Sequence, residues 1–270
     1  MSAARPAARI VLALAMLAFL TLPRAWSDTA DDSTVVAAWD AHGGVLQPDA
    51  SVAVPRGRRP TYDEVETYVW QVIPPELHSR FARLELFTVP ETSSDSTDGT
   101  VVETDDGSAW ILSLDEQEGE DAVLGGAHDD QEVFDTAVVH ELGHVLSLSP
   151  DQMTADTTVR TYPVDEGTLR PDSWLNVFYV QFWKDKYPGW KDSEDPGQAD
   201  ALYRAHPDDF VTDYAATDPV EDFAETFTAF VLQARPRSLA ERDRKVLFFW
   251  QIPAMVRERG ELRRGLASVH

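Results

Sequence analysis

Apolar residues recur at helical spacing over some stretches of the chain and alternate over others, which places strands early and helices late. From Thr61, the residues Val65, Tyr68, Val69 and Val72 fall on one face of a predicted helix that Pro74-Pro75 stops. Phe81 to Val89 and Ala109 to Leu114 read as strands, with a shorter strand near Thr100–Glu103 and a strong turn at Asp105-Asp106-Gly107-Ser108. Glu91 to Gly99 reads as a polar loop, and Glu116 to Asp130 as an acidic loop containing glycine. The next predicted helix runs from Asp130 to Leu148 and ends near Pro150. Residues 151–213 read as a long insertion with a helix from Asp172 to Lys186 carrying Trp174, Val177, Phe178 and Phe182. Turn-rich stretches flank that helix, Tyr187-Pro188-Gly189-Trp190 and Asp195-Pro196-Gly197, and helices follow over Pro219–Gln233, Ser238–Trp250 and on toward Leu266. Strands followed by helices predict an α+β domain over residues 61–270, one sheet backed by helices.

The first residues follow a different pattern. Arg5 and Arg9 precede an uncharged run from Ile10 to Leu22, Pro23 breaks it, and Ala25-Trp26-Ser27 offers small residues at a cleavage site. Residues 1–27 therefore read as a secretory signal peptide; the run is shorter than the ~20 residues needed to span a bilayer. Residues 28–60, rich in Asp, Ala, Gly and Pro, read as an extended segment ahead of the domain, or as a pro-region clipped after Arg56-Gly57-Arg58-Arg59. Secretion to the outside of the cell is the expected localisation, with no stable membrane association after cleavage.

Charge narrows the function. The chain carries 23 Lys+Arg against 47 Asp+Glu, a formal charge of −24, which excludes nucleic acid as a partner because phosphates are repelled. There is no cysteine, so disulfide scaffolds, thiolate metal sites and thiol catalysis are all excluded. Any metal must be held by imidazole and oxygen. The acidic turns Asp95-x-x-Asp98-Gly99 and Asp105-Asp106-Gly107 lack the ligand rhythm of a calcium loop and read as solvated turns.

His140-Glu141-Leu142-Gly143-His144 lies inside the predicted helix ending at Leu148. At about 100° per residue, His140 and His144 stand one turn apart and only about 40° around the axis, so both can reach one ion. Glu141 is near enough for its carboxylate to meet water at that ion. This is the H-E-x-x-H arrangement, two zinc ligands with a general base beside them. A catalytic zinc needs a third protein ligand and an open position. The metzincin spacing is closed, since Ser147 and Pro150 stand where Gly and His belong; the aspzincin segment is a near miss, with Pro171 at the Asp position and Asp172 one residue late. The remaining option is a glutamate on the helix opened by Asp218 and Pro219. There Val220, Phe223, Ala224, Phe227 and Val231 form an apolar stripe, with Glu221 and Glu225 one turn apart on its border and Asp222 pointing away. Glu221 would bind the metal and Glu225 would accept the outer N–H of a ligating histidine. A capping role for Glu221 beside Asp218, and a surface role for Glu225, are the competing readings.

His140-Glu141-Leu142-Gly143-His144, followed by Tyr214 and, seven residues on, by Glu221-Asp222-Phe223-Ala224-Glu225, resembles the catalytic domain of anthrax lethal factor and the related bacterial Pro-Pro endopeptidases. The resemblance covers residues 130–148 and 211–231. It implies a gluzincin-type zinc peptidase with a zincin-like fold: a small mixed sheet, an edge strand packed on the H-E-x-x-H helix, and a following helical subdomain. It implies Glu221 as third zinc ligand, Tyr214 as hydrogen-bond donor to the oxyanion, and Glu225 as support behind the ligands. The expected reaction is hydrolysis of a peptide or protein substrate, with Glu141 taking a proton from water and passing it to the leaving amine. Ala109–Leu114 is the expected edge strand, with Trp110 and Ile111 shaping pockets if it lines the cleft. Hydrolysis of another amide, such as one in peptidoglycan, and a non-catalytic secreted zinc-binding module are the alternatives. His206, beside Pro207 in a polar turn, reads as a surface residue.

Overall fold

Gly43 and Gly44, both at positive φ (60° and 82°), make the two-residue turn that joins strand β1 (Thr34–His42) to β2 (Val45–Pro48). The computed structural model describes residues 33–89, 98–125, 128–187, 190 and 196–270. The expected leader 1–27, the loop around Asp95 and the turn residues Pro188, Gly189 and Asp195 lie outside the described residues.

Strand β1 also pairs antiparallel with β3 (Phe81–Thr88), which runs parallel to β5 (Trp110–Asp115); β4 (Gly99–Glu103) pairs antiparallel with β5 on the outside. The mixed sheet thus has the order β2–β1–β3–β5–β4. Two expectations about the sheet change. Residues 34–48 are not a segment ahead of the domain but part of its sheet, with Trp39 buried opposite Leu84. Arg83 fastens them, reaching Asp40 at 2.5 Å and Asp49 at 2.8 Å. The edge strand beside the H-E-x-x-H helix is β4 rather than Ala109–Leu114, because the β4–β5 hairpin folds outward and leaves β5 interior; Trp110 is accordingly core, not cleft.

Eight α-helices lie among the described residues outside the sheet. Helix α1 (Arg59–Val72) buries Val65, Tyr68, Val69 and Val72 as the periodicity predicts, and Ile73, forced extended by the following proline, ends it. The stretch from Glu116 is not a loop. Asp115 accepts the Gln117 and Glu118 N–H groups at 2.8 and 3.1 Å and so caps a short α2 (Glu116–Glu120), followed by a wide turn over Asp121–Gly125. Helix α3 (His128–Ser147) comes next, then a small hairpin of β6 (Pro163–Val164) and β7 (Gly167–Thr168), and α4 (Trp174–Phe182) capped by Ser173. The remaining helices are α5 (Pro196–Ala205), α6 (Pro219–Leu232), α7 (Glu241–Phe249) and α8 (Pro253–Val269).

One continuous core joins sheet and helices, running from Val36 in β1 through Leu142 in α3 to Leu266 in α8. The 151–213 insertion is stitched into it by Tyr162, Leu169, Leu175, Phe178 and Phe182. Behind α6 stands an aromatic wall in which Phe178 meets Phe223 at 5.5 Å and Phe249 meets Phe223 at 4.9 Å and Phe227 at 5.7 Å between ring centres. Each such ring contributes roughly 1.5–3 kcal/mol by leaving water. The C-terminal carbonyls of α6 are satisfied by arginines of α8: Arg259 donates to Phe230 O at 2.6 Å and Arg263 to Val231 O at 2.8 Å. The α6 helix is therefore held at its back and at its end, with its front pressed on α3.

Candidate metal centre

Helices α3 and α6 make the most extensive helix–helix contact of the fold, and glycine permits it. A Cβ on Gly143 would stand 2.9 Å from Ala224 Cα and 3.2 Å from Ala224 Cβ, so the two backbones cross where both residues are small. The N-terminus of α6 is fixed by Asp218, whose carboxylate accepts the Val220 and Glu221 N–H groups at 2.7 and 3.0 Å. Asp218 thus does the capping, and the Glu221 side chain is free to reach α3.

His140, His144 and Glu221 converge in the buried α3–α6 crossing, none more than 2% exposed. The two Nε2 atoms are 3.0 Å apart, and Glu221 Oε2 lies 3.2 Å from that of His140 and 3.4 Å from that of His144. Bonds of about 2.0–2.2 Å in a tetrahedral site put ligand atoms roughly 3.3–3.6 Å apart, within a few tenths of an ångström of these edges. Glu221 Oε2 is buried without an aligned hydrogen bond among the described residues, although it lies close to both nitrogens. Two imidazoles and a carboxylate with that geometry can hold a metal ion.

Around the cluster, Glu225 accepts from His140 Nδ1 at 2.7 Å and from Thr212 Oγ1 at 2.6 Å, which fixes both its oxygens and directs His140 Nε2 inward. The Tyr214 ring, on a short turn ahead of α6, sits 6.0 Å from the His140 ring. Glu141 is 1% exposed, receives the Val101 N–H from the outer side of β4, and keeps Oε2 without a hydrogen bond among the described residues. The structure therefore brings together His140, Glu141, His144, Tyr214, Glu221 and Glu225. His206 lies apart, with its ring against Tyr187 and Nδ1 3.8 Å from Asp209.

The four buried titratable groups of the cluster shift one another in both directions. Burial pushes the Glu141 carboxyl up to about 8, and the Glu221 charge adds to that. Burial depresses His140 as well, but the Glu221 and Glu225 carboxylates on either side of its ring outweigh burial and hold it well above the ordinary imidazole range. His144 is lowered, chiefly by burial. Burial alone would raise Glu221, yet the two neighbouring histidines bring it down to about 2. A proton on His140 Nε2, facing Glu221, is what a bound cation would displace, while the Nδ1 proton donated to Glu225 stays.

Three supports were not legible in the sequence. Thr212 has no motif. Gly143 reads as a mere variable position of H-E-x-x-H. Asp222, which points away from the apolar stripe, is nonetheless fully buried and ion-paired with Lys245 of α7 at 2.6 Å, with Trp183 Nε1 donating to it at 2.6 Å. Comparison of the chain with protein-family models, curated proteins and solved structures returned no match.

Proposed function

We propose that this protein is a secreted, gluzincin-type zinc endopeptidase, akin to the lethal factor and Pro-Pro endopeptidase catalytic domains. The observation that carries the reading is the convergence of His140, His144 and Glu221, with Glu225 behind His140 and Glu141 beside it. Imidazole and carboxylate donors without thiolate suit zinc, and three protein ligands rather than four are the mark of a catalytic site. When bound there, zinc supplies a Lewis acid that polarises a carbonyl and makes water nucleophilic near neutral pH.

The remaining work falls to side chains of this chain. His140, His144 and Glu221 bind the ion. Glu141 accepts a proton from water at Oε2, which no described residue hydrogen-bonds, and delivers it to the leaving nitrogen; burial has already raised its proton affinity. The Tyr214 hydroxyl, carried on the turn beside His140, donates to the oxygen of the tetrahedral species. An extended peptide is the substrate the sheet suits, since β4 is an edge strand adjacent to Glu141 and can pair through its main chain. Among the described residues no helix is long and apolar enough to cross a membrane. Export rests on the N-terminal pattern, Arg5 and Arg9 before the apolar run.

The test is digestion of a peptide library by zinc-loaded wild type and Glu141→Gln. Cleavage by the first and none by the second, at equal metal content, is expected. Wild type that binds zinc and cleaves no peptide would refute an endopeptidase, and an active Glu141→Gln would refute the role given to Glu141.

A further inference from the structure

Thr212 is separated from the ligand Glu221 by eight intervening residues, on the segment that leads into α6. Its hydroxyl stands 2.6 Å from Glu225 Oε2 and 3.1 Å from the Ala215 amide nitrogen. The direction of each bond follows from chemistry. A carboxylate only accepts, so the Thr212 O–H donates to Glu225, and an amide only donates, so the same oxygen accepts from Ala215. Ala215 belongs to the turn Tyr214–Ala216, whose first N–H is held by Asp213 at 3.0 Å. The other oxygen of Glu225 meets His140 Nδ1 at 2.7 Å. One hydroxyl thereby connects the turn that carries Tyr214 with the carboxylate that orients a metal-binding ring.

From this bridge we propose that Thr212 is a positioning residue of the metal centre, locking the Glu225–His140 pair to the Tyr214 turn so that metal affinity and oxyanion stabilisation depend on a single hydroxyl. The inference rests on the zinc-hydrolase reading above, but its first readout is metal binding rather than turnover. A valine at this position keeps the shape of threonine and removes both bonds; a serine keeps both. The hydroxyl matters through Glu225 in the one case and through Tyr214 in the other, so its effects divide between two measurable quantities.

The experiment measures zinc affinity by chelator competition for wild type, Thr212→Val, Thr212→Ser, Glu225→Ala and the double variant Thr212→Val/Glu225→Ala. Loss of a partner behind a ligand weakens metal binding by about 10–100-fold, so Thr212→Val is expected to fall about tenfold and Thr212→Ser to stay within about threefold. In the Glu225→Ala background the valine should have no further effect. Turnover at saturating zinc forms the second arm: Thr212→Val lowers kcat with KM nearly unchanged, and adds nothing to Tyr214→Phe. Wild-type zinc affinity in Thr212→Val, a serine variant as weak as the valine one, or additive losses with Glu225→Ala would overturn the proposal. Wild type that takes up no zinc overturns it too. A wild type that binds zinc but cleaves no peptide would remove the endopeptidase reading while the affinity arm still decided the role of Thr212.

Discussion

Replacing Gly143 with alanine should separate metal binding from folding. The new methyl carbon would lie 2.9 Å from Ala224 Cα, 3.2 Å from Ala224 Cβ and 3.4 Å from Phe227 Cδ1. Carbon atoms rest about 3.5–4.0 Å apart, so the α3–α6 crossing must open by roughly 0.6–1 Å. Glu221 lies one turn before Ala224 on the same helix and moves with it, whereas metal–ligand distances tolerate only about 0.2 Å. Zinc affinity should therefore drop by about tenfold or more, equivalent to at least ~1.4 kcal/mol. Global stability should change less. Overpacking costs about 1–3 kcal/mol, and the helix preference of alanine over glycine returns up to about 1 kcal/mol. The net is roughly 0–2 kcal/mol. A second change, Ala224→Gly, removes the Cβ–Cβ contact but leaves the shorter one to the main-chain Cα, so rescue should be partial. Chelator competition gives the affinity, and urea unfolding of the metal-free protein gives the stability. Wild-type zinc affinity in Gly143→Ala would refute the claim that this close crossing sets the position of Glu221.

Other consequences follow from the same structure. Lys245→Met leaves Asp222 buried and charged beside Trp183, and should destabilise by about 3–5 kcal/mol in urea titrations; Asp222→Asn/Lys245→Met together should cost less than Lys245→Met alone. Equal losses would show that the ion pair is not the source. Asp49 is held down to about 2 by hydrogen bonds from the Ser51 side chain and amide and from Arg83. Its contribution is thus full above the unfolded carboxyl value of about 4 and vanishes as pH falls through about 2, so the stability gap between wild type and Asp49→Asn should close over that window. A gap that stayed constant from pH 6 to 2 would contradict it. Zinc affinity itself should fall with acidification, since the ion must displace the proton that the neighbouring carboxylates favour at His140 Nε2; a flat profile from pH 8 to 5 would count against these ligands.

The two helices that carry the candidate metal cluster were readable because each announces itself locally. His140 and His144 sit at helical spacing, and Asp218-Pro219 marks the start of α6 in the sequence as in space. A histidine pair lacking a third ligand then pointed along the chain to Glu221. Strand β1 gave no such signal: Ala37, Ala38 and Trp39 are buried in succession and a bulge between Val35 and Ala37 breaks the alternation. Helix α5 begins on Pro196-Gly197, residues that also make turns, and α2 is a charged segment whose only cue is its Asp115 cap. Sheet order is a property of the folded chain, so the sequence does not show that β4, the earlier strand of the β4–β5 hairpin, lies outside β5. The burial of Asp222 was not legible for a related reason: α6 is enclosed on several sides, and the partner that neutralises Asp222, Lys245, lies on another helix.

The central claim is a single ion held by two histidines of α3 and one glutamate of α6, and metal analysis combined with X-ray absorption on the purified protein addresses it directly. Close to one zinc per chain, with two imidazoles and oxygen ligands at about 2.0–2.2 Å and loss of the metal in Glu221→Ala, is the predicted result. A chain that takes up no zinc, or one whose zinc remains in the same coordination after Glu221→Ala, would contradict it.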